Sequence, residues 1–193
     1  MHFEKDSIYH VYNRSNEQTF FTRENYLFFL KKVNTLLKPN CEILCWCLMP
    51  NHFHFLIQAT DKSVENIGEK HREQTQLLSK NLGTLLSSYT QAINKQLKRK
   101  GKLWSHNTEA KIINKNFYGF RCFHYIHQNP VLAYLSEKME DYEFSSYIDF
   151  IKKRNGKLAN QNLAFELLEM DKNTFFEQSK IILDDKIIKE LYT

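Results

Sequence analysis

Residues 41–59 decide the fold, and their sequence is CEILCWCLMPNHFHFLIQA. Apolar, aromatic and β-branched residues predict one strand over 42–48 and a second over 52–59. The Met-Pro-Asn tripeptide at 49–51 predicts the turn between them, because proline cannot donate a backbone hydrogen bond inside a central strand. The stretch is therefore predicted to form a β-hairpin.

The hairpin lies within a longer pattern of strands and helices. The other predicted elements are a strand, two helices, a strand and a third helix, at 7–13, 23–37, 82–98, 109–113 and 117–128. The third helix is predicted to stop near Pro130. The first helix precedes the hairpin and the second follows it, so the order up to residue 113 is βαββαβ. This order predicts an α+β, ferredoxin-like split βαβ fold, with one antiparallel sheet and helices on one face.

The chain length fits one domain with a modest appendage, since there are 193 residues. Residues 1–150 are predicted to hold the sheet and the site, and residues 151–193 to form a helical C-terminal extension. Candidate helices in the extension cover 163–169 and 174–191. The residues of this extension favour no particular role.

Composition excludes several classes of protein. Only 5 Gly and 3 Pro occur, which excludes disordered, collagen-like and linker-rich chains. No apolar run approaches the roughly 18 residues of a membrane span, and the N-terminus lacks the apolar core of a signal peptide. A cytoplasmic location is therefore expected.

The four cysteines form no CxxC pair, so a zinc knuckle or a thioredoxin motif is not supported. Cys41, Cys45 and Cys47 share strand parity and are expected on one sheet face. Free buried thiols are the favoured interpretation, and a metal site is the alternative.

Positive charge is concentrated in one stretch of the chain. The net charge is +5, and residues 95–121 contain eight bases and one acid. A basic stretch of this kind favours a polyanion partner, although a solvated charged face is the simpler alternative. The candidate nucleic-acid-binding residues are Lys95, Lys98, Arg99, Lys100, Lys102, Lys111, Lys115 and Arg121.

A pair of histidines suggests half of a metal site. His52 and His54 are two residues apart in a strand, so their imidazoles point to the same face, opposite to Phe53. Two histidines are too few to hold a metal ion, so a third ligand must come from another element. The alternative is a pair of ordinary exposed or hydrogen-bonded histidines.

The helix predicted over 117–128 offers the remaining groups. Tyr125 and Asn129 are four residues apart and lie on one helix side, which Tyr118 shares. A phenol and an amide facing two histidines could perform phosphoryl transfer, with the tyrosine as nucleophile and a metal polarising the phosphate. Tyr125 as a core aromatic residue is the alternative.

Three segments together resemble one protein family. They are LMPNHFHFLIQ at 48–58, HYIHQNPVLAYL at 124–135 and EDYEFSSY at 140–147. In this order they are similar to the REP-associated tyrosine transposases, which are single-tyrosine HUH transposases of insertion sequences. The resemblance covers roughly residues 5–150.

The resemblance implies a function and a role for each matching residue. It implies metal-dependent cleavage and rejoining of single-stranded DNA next to a hairpin, through a 5′-phosphotyrosine intermediate, in a nucleoid-associated protein. Tyr125 is the implied nucleophile, and His52, His54 and Asn129 are the implied ligands of Mg²⁺ or Mn²⁺. The basic stretch would then contact phosphates of single-stranded or hairpin DNA. Monomer and homodimer both remain open.

Two other functions remain as alternatives. The first is a domesticated DNA- or RNA-hairpin binding protein without chemistry, and the second is a metal nuclease that activates water. Tyr118 is the rival nucleophile, His127 is interpreted as structural, and His124 is left between a structural role and proton transfer.

Overall fold

The computed structural model describes residues 1–68, 75–113 and 117–183. Its main sheet has four strands, β1 (Ile8–Arg14), β2 (Cys41–Met49), β3 (His52–Ala59) and β6 (Glu109–Ile113), in the order β2-β3-β1-β6. Every neighbouring pair is antiparallel. A short two-stranded ribbon, β4 (Asn66–Ile67) with β5 (Thr75–Gln76), lies outside this sheet.

Two crossover helices complete the predicted pattern. Helix α1 (Arg23–Leu36) connects β1 to β2, and helix α3 (Leu77–Gln96) lies between β3 and β6; a one-turn helix, α2 (Asp61–Val64), precedes α3. Each connection passes over one intervening strand, which is the split βαβ arrangement. The predicted α+β, ferredoxin-like βαββαβ fold is therefore confirmed.

The crossover helices share one face of the sheet, as predicted, because that face is apolar. The ring of Phe29 on α1 lies 5.5 Å from that of Phe53 on β3, and Tyr89 on α3 lies 5.0 Å from Phe29. Trp104, in the loop after α3, closes this cluster 5.3 Å from Phe53. A third helix, α4 (Phe117–Leu132), packs on the opposite face against β2 and β3.

Helix α3 begins earlier and ends earlier than predicted. Leu78 is buried, so the apolar stripe extends one turn before Leu82. At the other end the backbone turns left-handed at Lys98 (φ 51°), and the amide of Arg99 donates to the carbonyl of Asn94 at 2.9 Å. This is a Schellman cap with lysine in the position that glycine usually occupies.

Helix α4 runs four residues past its predicted end at residue 128, so that prediction was wrong by about one turn. Pro130 lies inside the helix, which ends at Leu132. The proline ring removes one amide hydrogen from the helix but does not prevent the last residues from keeping helical geometry. The amide side chain of Asn129 donates to the backbone carbonyl of Tyr125 at 2.9 Å.

The predicted common face of three cysteines is wrong, because β2 contains a β-bulge. The register shifts between Ile43 and Cys45, so Cys41 pairs with Ala59 while Cys45 and Cys47 pair with Leu56 and His54. A bulge inserts one residue and reverses the side-chain parity beyond it. All four cysteines are free and buried, in agreement with the favoured interpretation.

The segment after α4 packs against the sheet edge and α4. It contains a 3₁₀ turn (Met139–Asp141) and helices α5 (Tyr147–Phe150), α6 (Gln161–Leu167) and α7 (Phe175–Ser179). The amide of Asn160 donates to Ile43 of β2 at 2.7 Å, and Phe175 joins the core beside Phe123 and Phe150. The predicted division at residue 150 stays a prediction. Among the described residues, no helix has the length and apolar character needed to cross a bilayer.

Candidate active site

The site lies on the sheet face opposite the aromatic cluster, and strand pairing creates it. His52 and His54 point to this face from β3. Strand β1 places Arg14 opposite His52 and Tyr12 opposite His54. Directly paired residues of antiparallel strands project to the same side, so all four side chains border one surface.

Helix α4 crosses this surface and brings the remaining candidates to it. The ring centre of Tyr125 lies 5.8 Å from that of His54 and 6.4 Å from that of His10. A cleft of about 490 Å³ is bordered by residues of β1, β3 and α4, including His52, His54, Tyr125 and Asn129. The structure therefore brings together the four side chains that the sequence nominated for catalysis and metal binding.

Each cleft histidine has one ring nitrogen engaged within the protein. His52 Nδ1 lies 2.7 Å from Asn51 Oδ1, and His54 Nδ1 lies 2.9 Å from Nε2 of His10. His54 Nε2 is buried and has no hydrogen-bond partner within the described ranges. These contacts fix both rings and leave the Nε2 atoms as the available ligand atoms.

Burial keeps both imidazoles neutral. It lowers the pKa of His52 to about 4, with a smaller contribution from the positive charge of Arg14. It also lowers the pKa of His54 well below its usual value, helped by His10, His52 and Arg14. The neutral imidazole is the form that binds a metal ion, so the site needs no deprotonation near neutral pH.

The donor set suits a divalent cation that accepts nitrogen and oxygen ligands. The orphaned Nε2 of His54 is the strongest indication, because a buried polar atom without a partner is costly. The side-chain nitrogen of Asn129 donates a hydrogen bond to the backbone carbonyl of Tyr125, which leaves the side-chain oxygen of Asn129 for a ligand. In the part of the chain that the structure describes, no group of three or more His, Cys, Asp or Glu residues could hold a metal ion, so a metal site here would need the Asn129 amide as a ligand.

The sequence interpretation missed three residues of strand β1. His10 supports His54, Tyr12 donates to Glu109 Oε2 at 2.8 Å, and the exposed Arg14 borders the cleft. Burial, followed by the bond to Glu109, raises the pKa of Tyr12. The alternation in IYHVYNR placed the three residues on one face, but only the sheet order shows that β1 lies next to β3.

Three other side chains of α4 do not border the cleft: the rival nucleophile Tyr118, and the two histidines His124 and His127. Tyr118 is 41% exposed and does not border the cleft. His127 Nε2 lies 2.8 Å from the hydroxyl of Ser146, which agrees with its structural interpretation. His124 is buried beside three phenylalanines, with ring centres 4.3 Å from Phe120, 5.7 Å from Phe123 and 5.8 Å from Phe175. This packing disfavours a part for His124 in proton transfer.

The basic residues separate into two groups. Lys95, Lys98, Arg99, Lys100 and Lys102 lie at the end of α3 and in the loop that follows. Lys111 lies on β6 opposite His10, on the histidine face, and Arg121 lies on α4 one turn before Tyr125. Lys115 lies outside the described residues.

Hydrogen bonds anchor the loop after α3 to the end of β1 that carries Arg14. Ser15 Oγ donates to the carbonyl of Leu103 at 2.9 Å, and Asn13 Nδ2 donates to Thr108 Oγ1 at 2.9 Å. The loop that follows the first basic group is therefore fixed to that end of β1.

The fold resembles that of a solved REP-associated tyrosine transposase bound to a REP hairpin. The TM-score is 0.58 at 15% sequence identity, and the match covers 83% of this chain and 92% of the other. At this identity the likeness establishes a shared fold. No protein-family model and no curated protein matches the chain.

Proposed function

We propose that this protein is a transposase of the REP-associated tyrosine type, which cuts and rejoins single-stranded DNA next to a hairpin. The observation that carries the proposal is the meeting of Tyr125, His52, His54 and Asn129 in one cleft. Two neutral imidazoles, an amide oxygen and a phenol are the groups that tyrosine-based phosphoryl transfer needs. The structural neighbour, which is bound to a REP hairpin, supports hairpin DNA as the ligand.

The proposed reaction exchanges one phosphodiester bond for another. The oxygen of Tyr125 attacks the phosphorus and loses its proton, and the bond from phosphorus to the 3′ oxygen breaks. The 3′ oxygen takes up a proton and leaves as a hydroxyl. The 5′ phosphate stays on Tyr125, so attack by a second 3′ hydroxyl rejoins DNA without an external energy source.

Each protein group has a defined task in this reaction. His52, His54 and Asn129 would hold Mg²⁺ or Mn²⁺, which polarises a phosphate oxygen and orients the phosphorus. Arg14 is exposed at the rim of the cleft and offers a guanidinium to a flanking phosphate. Tyr125 borders the same cleft and would supply the phenol oxygen that attacks the phosphorus.

The proposal is tested by looking for a covalent protein–DNA adduct. Purified protein is mixed with single-stranded hairpin oligonucleotides from the DNA flanking its own gene, with Mn²⁺ or with EDTA. We expect a metal-dependent band that survives denaturation, is lost in Tyr125→Phe and is retained in Tyr118→Phe, the matched control on the same helix. Since Tyr125→Phe removes only one hydroxyl, it should bind the hairpin as tightly as the wild type.

Other products would point to the alternative functions. Free 5′ phosphates without an adduct would indicate a metal nuclease that activates water. Tight hairpin binding without cleavage in any metal would indicate a binding protein without chemistry. An adduct that persists in Tyr125→Phe would place the nucleophile on another residue.

A further inference from the structure

The last turn of α4 ends in a Schellman cap that contains a tyrosine. The amide of Leu135 donates to the carbonyl of Pro130 at 2.8 Å, and the amide of Tyr134 donates to the carbonyl of Val131 at 3.0 Å. This pattern requires a left-handed residue after the helix, and Tyr134 has φ 57°. Glycine is the usual residue there, because a Cβ atom makes the left-handed conformation unfavourable.

The Tyr134 side chain contributes little to the folded protein. It is 96% exposed, and within the described ranges its ring makes no hydrogen bond or ring contact. The residue therefore has an unfavourable backbone conformation without side-chain packing in return. Strained residues cluster at active sites and ligand clamps, so a strained, exposed side chain near a cleft is a candidate for ligand contact.

Tyr134 borders the same cleft as the candidate nucleophile. The cleft that contains Tyr125, His52 and His54 has Tyr134 on its rim, nine residues after Tyr125 on the same chain segment. Arg14, the exposed cation of that cleft, is suited to phosphates. The aromatic ring of Tyr134 offers a flat apolar face, which is the surface that an unpaired base stacks on.

We infer that Tyr134 is a stacking platform for an unpaired base of the DNA strand that enters the cleft. The inference rests on the proposed function, because it takes single-stranded DNA as the ligand. The left-handed cap directs the side chain away from the helix and into solvent, where a base can cover the ring. Stacking of one base corresponds to about 5- to 150-fold in affinity.

The structure supplies a matched control for the backbone effect. Helix α6 ends in the same motif, in which Met170 donates to Phe165 at 3.0 Å and Glu169 donates to Glu166 at 3.3 Å. Glu169 is left-handed (φ 51°) and exposed. It does not border the cleft, so Glu169→Gly relieves the same strain without removing a cleft side chain.

The experiment measures DNA affinity and stability in the full chain. The probe is a hairpin oligonucleotide with a single-stranded flank that carries 2-aminopurine, bound in the Tyr125→Phe background to prevent cleavage. We expect Tyr134→Gly to weaken binding about 5- to 150-fold and to abolish the fluorescence quenching caused by stacking. Tyr134→Trp should keep both the affinity and the quenching of the parent protein. A blunt hairpin without a flank should bind Tyr134→Gly and the parent protein equally tightly.

The controls separate this inference from the proposed function. Tyr134→Gly and Glu169→Gly should both melt at or above the temperature of the parent protein, and Glu169→Gly should bind the flanked probe unchanged. If Tyr134→Gly binds and quenches like the parent while Tyr125 still forms an adduct, the stacking inference fails and the proposed function stands. If affinity falls as expected but no adduct forms in the wild type, the stacking inference stands and the proposed chemistry fails.

Discussion

The two faces of the sheet are built for different purposes. On the face under α1 and α3, Phe29, Phe53 and Tyr89 pack ring against ring, and the Tyr89 hydroxyl donates to the carbonyl of Thr19 at 2.9 Å. On the face under α4, His10 and His54 are buried instead, with a phenol across the cleft. The first face removes apolar surface from water, which stabilises the fold.

Burial on the histidine face carries a cost instead. Each imidazole is desolvated, which lowers the pKa of His10 to about 3 and that of His52 to about 4. A cluster of neutral nitrogen ligands is useful to a metal site and of little use to a core. We therefore expect substitutions on the aromatic face to reduce stability and those on the histidine face to reduce activity.

The largest expected effect is the loss of cleavage when both cleft histidines are removed. His52→Ala combined with His54→Ala deletes two of the three proposed ligands, so the metal-dependent adduct should disappear and Mn²⁺ binding measured by calorimetry should be lost. The exposed His2→Ala serves as the control and should behave as the wild type. Unchanged Mn²⁺ binding in the double variant would place the metal site elsewhere.

The next largest effect is a loss of stability on the aromatic face. Phe29 is fully buried, so Phe29→Ala removes a large side chain and leaves a cavity. We expect the free energy of unfolding to fall by about 3–5 kcal/mol in urea titrations, with a smaller loss for Phe29→Leu. Hairpin affinity per folded molecule should stay at the wild-type value. A drop in hairpin affinity per folded molecule would contradict the division between the two faces.

The strands of the sheet were predicted well, because clear sequence signals mark where they begin and end. Strand β3 begins directly after Pro50-Asn51 and ends at Ala59, as predicted, and β6 spans the predicted 109–113. The faces of His52, His54 and Phe53 followed from strand alternation alone. The candidate site residues on β3 and α4 could therefore be predicted from the sequence.

Other features depend on contacts that a single sequence does not display. The bulge near Ile43 reverses the face of Cys41, and no residue type in CEILCWC marks it. His10 joins the site only because β1 pairs with β3 rather than with β2. Lys98 and Tyr134 adopt left-handed backbones at helix ends, where the sequence rules point to glycine.

The smallest expected effect concerns His124, a histidine that does not border the cleft. His124 is packed against Phe120, Phe123 and Phe175, and neither ring nitrogen has a hydrogen-bond partner among the described residues. Burial lowers its pKa to about 4. An unfolded chain protonates this histidine near its ordinary pKa of 6.5, so below that pH the unfolded state binds more protons than the folded state. The stability that His124 contributes is present above pH 6.5 and is lost as the pH falls through about 4.

His124→Phe removes this pH dependence while keeping an aromatic ring in place. When the pH is lowered from 7 to 5, the wild type should lose about 1–2 kcal/mol more of its unfolding free energy than the variant does. Comparing the two proteins by urea titration at both pH values isolates His124 from the other buried histidines, and His124→Leu guards against crowding by the larger ring. Adduct formation should be unchanged in both variants. Equal pH dependence in variant and wild type would mean that His124 is protonated in the folded protein as readily as in the unfolded chain, whereas loss of the adduct would assign this ring to the chemistry of Tyr125 after all.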